Sequence, residues 1–269
     1  MRLVGDWNGQ AVPVRYSRGG VLTFELWEHN VLGSPPWPEA LLRQVNGHTA
    51  QPRWFAQEDL PALTAHLDGR ISRFQSVSSE DAVTYSWFGT LAPEPVETRR
   101  AVAQWLYDRA GIAATAREPR IDQWLRVFHP HRPGSSRGPE LDVRIDDPGA
   151  ALVYVEAKWG ADLGTGGGKD AGVRDDQIVL RRDSLRTDPA LRDDDRAFAV
   201  LVVSEAEPDL TTWHEADADA RPVTVASLSW DDLAACPAHP LADEFGRCLA
   251  WKRAHGRRAA AQPASRARR

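Results

Sequence analysis

Cysteine is nearly absent from this chain: Cys236 and Cys248 are the only two among 269 residues. They have no metal-site spacing, which argues against a zinc centre, and the expectation is buried or free thiols rather than a disulfide. No apolar run approaches the roughly 20 residues that cross a bilayer, so no membrane partner is expected. The first residues, Met1-Arg2-Leu3-Val4-Gly5-Asp6, carry no apolar signal core, and a cytoplasmic location is expected. An excess of positive charge is also missing. Lysine and arginine number 33 against 38 acids, a net charge of −5, so any nucleic-acid binding must rest on a local basic surface.

Several catalytic motifs are missing too. No Gly-x-Ser-x-Gly is present to build a nucleophile elbow. His129 and His131 have no H-E-x-x-H partner set. Gly164-Thr165-Gly166-Gly167-Gly168-Lys169 is followed by Asp170, so it is a flexible loop and not a P-loop. Asp193-Asp194-Asp195 reads as a solvated turn.

What is present suits a soluble globular protein, with 42% hydrophobic and 26% charged residues. Residues 1–91 read as a β-rich N-terminal domain open to a role in recognition or partner binding. Its expected strands are Val12–Tyr16, Val21–Trp27 and Ala82–Phe88, the first two joined by the turn Ser17-Arg18-Gly19-Gly20. Ser34–Pro38 reads as a loop and Glu58–Leu67 as a short helix. Trp7, Trp27, Trp37, Trp54 and Trp87 read as packing residues, with base stacking by one or two as the alternative. The tail 255–269 is basic and reads as flexible, with a specific DNA contact as the alternative.

From Val96 to Ala110 the apolar spacing predicts a helix, with Gly111 as its stop. Ile121–Phe128 reads as a strand. Asp175–Leu185 reads as a helix and Ala197–Val203 as a strand buried on both faces. Val223–Leu228 is a further strand, followed by helical regions from Ser229 and from Leu241 to Ala254.

Between these elements lies the most informative stretch, P-E-L-D-V-R-I-D-D-P-G-A-A-L-V-Y-V-E-A-K-W from Pro139 to Trp159. Leu141–Ile145 and Ala151–Trp159 read as strands joined by the turn formers Asp146-Asp147-Pro148-Gly149. Strand alternation puts Glu156 and Lys158 on one face, near Asp142. An acid and a lysine on a largely buried strand are costly unless paired or bound to a metal. The ordinary alternative is an amphipathic hairpin in which Lys158 simply pairs with Glu156 or Asp142.

Asp142 in E-L-D-V, followed by Glu156-Ala157-Lys158 in V-E-A-K-W, resembles the active-site signature of the PD-(D/E)xK nuclease superfamily, the restriction-endonuclease-like fold. The resemblance covers about residues 92–254 and implies an α/β domain, a mixed sheet flanked by helices. It implies Mg²⁺ or Mn²⁺ held by Asp142, Glu156 and the backbone carbonyl of Ala157, with Glu97 as a further carboxylate; a solvated helix-start Glu97 is the alternative. Lys158 is then catalytic, Gln177 orients the Lys158 region or contacts the cut strand, and Glu140 has a secondary role. Arg181, Arg182 and Lys169 are candidate nucleic-acid contacts, with helix-surface charge as the default for the two arginines. The implied function is metal-dependent DNA cleavage in restriction, phage defence or repair, by a homodimer or within a larger assembly. The rivals are a catalytically silent nucleic-acid-binding or scaffold subunit and an RNA-directed nuclease.

Overall fold

The computed structural model describes residues 2–17, 20–33, 74–132, 138–160, 176–205, 208, 210 and 221–256. The expectations for Ser34–Pro38, Trp37, Trp54, Glu58–Leu67, Lys169 and its glycine loop, and residues 257–269 of the basic tail lie outside the described residues.

The chain begins with an antiparallel sheet of β1 (Arg2–Gly5), β2 (Ala11–Tyr16) and β3 (Leu22–Phe24), in that order. Val14 pairs with Phe24, and the expected turn closes with Ser17 N donating to Val21 O at 2.9 Å. β3 is shorter than expected, because Trp27–Asn30 winds into a 3₁₀ turn. Val12, Val14, Leu22, Phe24 and Val77 form the core beneath this sheet.

The expected strand at Ala82–Phe88 is instead helical. α1 spans Glu80–Thr84 and runs on into a π-helical turn, Tyr85–Gly89. Ser79 caps it by accepting from the Ala82 amide at 3.1 Å, and every residue from Ala82 to Gly89 is buried. A segment buried on all sides shows neither a 2-residue nor a 3.6-residue period, so pattern cannot separate strand from helix there. Val83, Trp87, Phe88 and Leu91 share a single core with the main sheet.

α2 spans Val96–Ala110 as expected and ends on Gly111, whose φ of 65° is the left-handed cap that glycine adopts freely. Next come β4 (Arg120–Gln123), β5 (Val143–Asp147) and β6 (Ala151–Ala157), then α3 (Gln177–Thr187), β7 (Ala197–Ser204) and β8 (Thr224–Ser229). Two helices finish the fold, α4 (Trp230–Ala234), entered through a capping box at Ser229, and α5 (Ala242–Gly256). β4 stops early because Trp124 sits at a φ of 57°, which turns the chain out of the strand.

The five strands form one mixed sheet in sequence order, β4-β5-β6 antiparallel and β6-β7-β8 parallel. One face, with Val143, Val155 and Leu201, packs on Leu106 and Trp87. The other, with Leu152, Tyr154 and Val200, is covered by Ile178 and Leu185 of α3. The central strand β6 is buried along its whole length.

Candidate active site

Hairpin register sets the geometry. The β5–β6 pairing ends with Val143 against Val155, and Asp142 lies in the bend just before β5, while Glu156 follows Tyr154 on the face that α3 covers. Asp142 Oδ2 accepts the Ala157 amide at 2.8 Å, which draws its carboxyl to the end of β6. Glu156 is the one charged residue of β6 and is 1% exposed.

Its two oxygens each meet a cation. Lys158 Nζ lies 2.7 Å from Oε1, and the Arg181 guanidinium pairs with Oε2 from α3. Arg181 also donates to the carbonyls of Gln177 at 3.0 Å and Glu140 at 2.9 Å. The backbone of Lys158 is fixed from both sides, its N–H donating to Val203 O at 2.7 Å and its carbonyl accepting from Trp230 Nε1 at 2.8 Å.

Glu80 completes the cluster, and sequence reasoning did not include it. Lys158 Nζ donates to its Oε1 at 3.4 Å, and its Oε2 accepts the Trp159 amide at 3.1 Å. The available signal was Ser79-Glu80-Asp81, a capping serine followed by two acids in a first helical turn.

Burial sets the electrostatics. It pushes the Asp142 carboxyl well above the usual range, aided by the Glu156 carboxylate and opposed by Arg181 and the Ala157 amide. Glu80 is raised by burial, against the opposing pull of Lys158 and the Trp159 amide. For Lys158, burial disfavours the ammonium, but Glu156, Glu80 and Asp142 together outweigh it and the amine is raised. Lys158 therefore carries its proton at neutral pH.

No family model, no curated protein and no solved structure matches the chain.

Asp142, Glu156, Ala157 and Lys158 are thus brought together at the end of β6. Gln177 is the first residue of α3, half-buried, with its carbonyl on Arg181. Glu140 turns its carboxylate toward Arg126, at 3.4 Å. Glu97 is exposed in the first turn of α2, with no hydrogen bond or ion pair to the cluster among the described residues. Arg181 and Arg182 are not helix-surface charges: each is 3% exposed. Arg182 pairs with Asp183 at 3.1 Å, and His131 lies 3.6 Å from the same carboxylate. Both arginines fall between Ile178 and Leu185 on the buried face of α3, a spacing visible in the sequence.

Among the described residues, no group of three or more His, Cys, Asp or Glu side chains is gathered to hold a metal ion. Magnesium asks for less, taking one or two carboxylates and keeping several waters. Asp142, in the bend before β5, and Glu156, in β6, supply hard carboxylate oxygens. Burial first, and the Glu156 carboxylate second, disfavour the charged form of Asp142, and a bound divalent cation would offset both. The donor set fits that ion.

Proposed function

We propose that the protein is a Mg²⁺- or Mn²⁺-dependent nuclease with a restriction-endonuclease-like catalytic domain, cleaving DNA phosphodiester bonds in restriction, phage defence or repair. The observation that carries this reading is the gathering of Asp142, Glu156 and Lys158 about the end of one buried strand: Lys158 Nζ lies 2.7 Å from Glu156 Oε1, and Asp142 Oδ2 accepts the Ala157 amide between them at 2.8 Å. The surrounding order of helix, three strands, helix, two strands and helices suits the same family.

Asp142 and Glu156 would hold the ion, with the carbonyl of Ala157 as a further ligand. When bound, it supplies charge neutralisation at the phosphate and a more acidic water. Lys158, held as an ammonium by three carboxylates, stabilises the charge that builds on the phosphate oxygens rather than acting as a free-amine base. Glu80 holds the same ammonium through its Oε1.

The test is incubation with plasmid, linear and single-stranded DNA, and with RNA, in Mg²⁺ or Mn²⁺, beside Asp142→Ala and Lys158→Ala. Cleavage by the wild type that both variants lose supports the reading, and cleavage that survives in both sinks it. One observation favours a second reading: both Glu156 oxygens are already paired, to Lys158 and Arg181. A nucleic-acid-binding or scaffold subunit would keep such a cluster as a buried ion-pair network. DNA retention without cleavage under any metal would select it.

A further inference from the structure

Arg181 is expensive where it stands. It occupies the buried face of α3 between Ile178 and Leu185, where an aliphatic side chain would continue the packing. Replacing a buried ion pair by apolar residues is often neutral or stabilising, so stability alone does not account for the guanidinium. Nor is it fully satisfied. Its two terminal nitrogens reach the Gln177 and Glu140 carbonyls, while Nε is buried with no hydrogen-bond partner. Native structures seldom leave a charged donor in that state.

The charges of the cluster give it a purpose. Glu80, Asp142 and Glu156 face Lys158 and Arg181, one negative charge in excess when all are ionised. Without Arg181 the excess is two, the charge a divalent cation cancels. Lys158 holds Glu156 Oε1 and Arg181 holds Oε2, so a cation reaching Glu156 must displace or share one of them. Lys158 is tied by its own backbone bonds and by Glu80. Arg181 reaches Glu156 from another element and has other acceptors, the Gln177 and Glu140 carbonyls, to keep when a cation takes Oε2.

We propose that Arg181 is a built-in counter-ion that competes with the divalent cation for Glu156 and so sets how tightly the site is loaded. This rests on the metal-site part of the nuclease reading. Arg181 is a positioning residue in this role: it keeps Glu156 oriented while no cation is held. Once released from Oε2, its guanidinium keeps its bonds to the Gln177 and Glu140 carbonyls.

The test is calorimetric titration of the full chain with Mn²⁺ in the absence of nucleic acid, comparing wild type, Arg181→Met and Arg181→Lys. Arg181→Met is expected to bind Mn²⁺ about tenfold more tightly or better, the scale of removing one opposite charge from beside a carboxylate. Arg181→Lys, which keeps the charge, stays close to wild type. Equal or weaker binding by Arg181→Met overturns the proposal, because a merely supporting arginine would weaken the site when removed. If circular dichroism shows that Arg181→Met does not fold, Arg181→Gln carries the same expectation. Tighter Mn²⁺ binding without DNA cleavage would leave the counter-ion role standing and remove the nuclease reading. Absence of Mn²⁺ binding in every form, up to millimolar ion, removes both.

Discussion

Lys158 Nζ and Glu156 Oε1 lie 2.7 Å apart, Glu156 within the fully buried strand β6 and Lys158 just past its end. The pair ties a charge that could serve catalysis to the packing of the core. Removing one partner of a buried pair is costly, because the other is left without compensation. Lys158→Met leaves Glu156 with Arg181 alone, and we expect a loss of about 3 kcal/mol, the low end for a broken buried pair. Urea denaturation checks it, and a loss near zero would mean that the pair is solvated.

Asp142 should show the opposite sign. Its ionised form is penalised by burial and by Glu156, so folding disfavours the carboxylate relative to the neutral acid. Asp142→Asn keeps an oxygen for the Ala157 amide and drops that charge. The variant should melt a few degrees higher at neutral pH, the scale of ordinary stabilising changes of about 1 kcal/mol. Added Mg²⁺ should raise the melting temperature of the wild type and leave the variant where it is.

Glu80 and Glu97 offer a paired comparison. Glu80 touches Lys158 and the Trp159 amide, whereas Glu97 is exposed on α2. Glu80→Gln is expected to lower cleavage about 10- to 100-fold, the range for groups that orient a metal site's own residues. Glu97→Gln is expected to leave it unchanged. Cleavage rates on one plasmid substrate decide between them.

Far from the site, Lys252 is wholly buried in α5. Its Nζ donates to Asn30 O at 3.0 Å and also to Asn30 Oδ1. Burial pushes the amine down to about 8 from its ordinary 10.5, with Cys248 opposing slightly. Between those values the unfolded chain binds a proton that the folded chain has released. Stability therefore rises as pH climbs through the window and is lost again as pH falls through it, by about 3 kcal/mol in all. Two donors on a neutral amine match the two Asn30 acceptors. Lys252→Met should flatten the rise, read as unfolding free energy against pH, and an unchanged slope would contradict the assignment.

Much of the α/β layout was legible because its signals are local. Gly111 stops α2, Ser229 opens α4, and the apolar run Ala197–Val203 reads as a doubly buried strand. Asp142, Glu156 and Lys158 were legible for the same reason, since all three lie on or beside one hairpin. Glu80 was not, because it lies 78 residues from Lys158 and ahead of a segment with no readable period. Arg181 was misplaced on the helix surface because charge outweighed spacing: its position between Ile178 and Leu185 put it on the apolar face.

The most direct test of the nuclease proposal is a single cleavage time course on supercoiled plasmid in Mn²⁺, with wild type, Asp142→Asn and Lys158→Met side by side and EDTA as the metal-free arm. The account predicts nicking or linearisation by wild type that EDTA abolishes and that both variants lose by at least about a hundredfold, the scale of one lost electrostatic contact in a transition state. Cleavage that persists in EDTA, or in both folded variants, would contradict it.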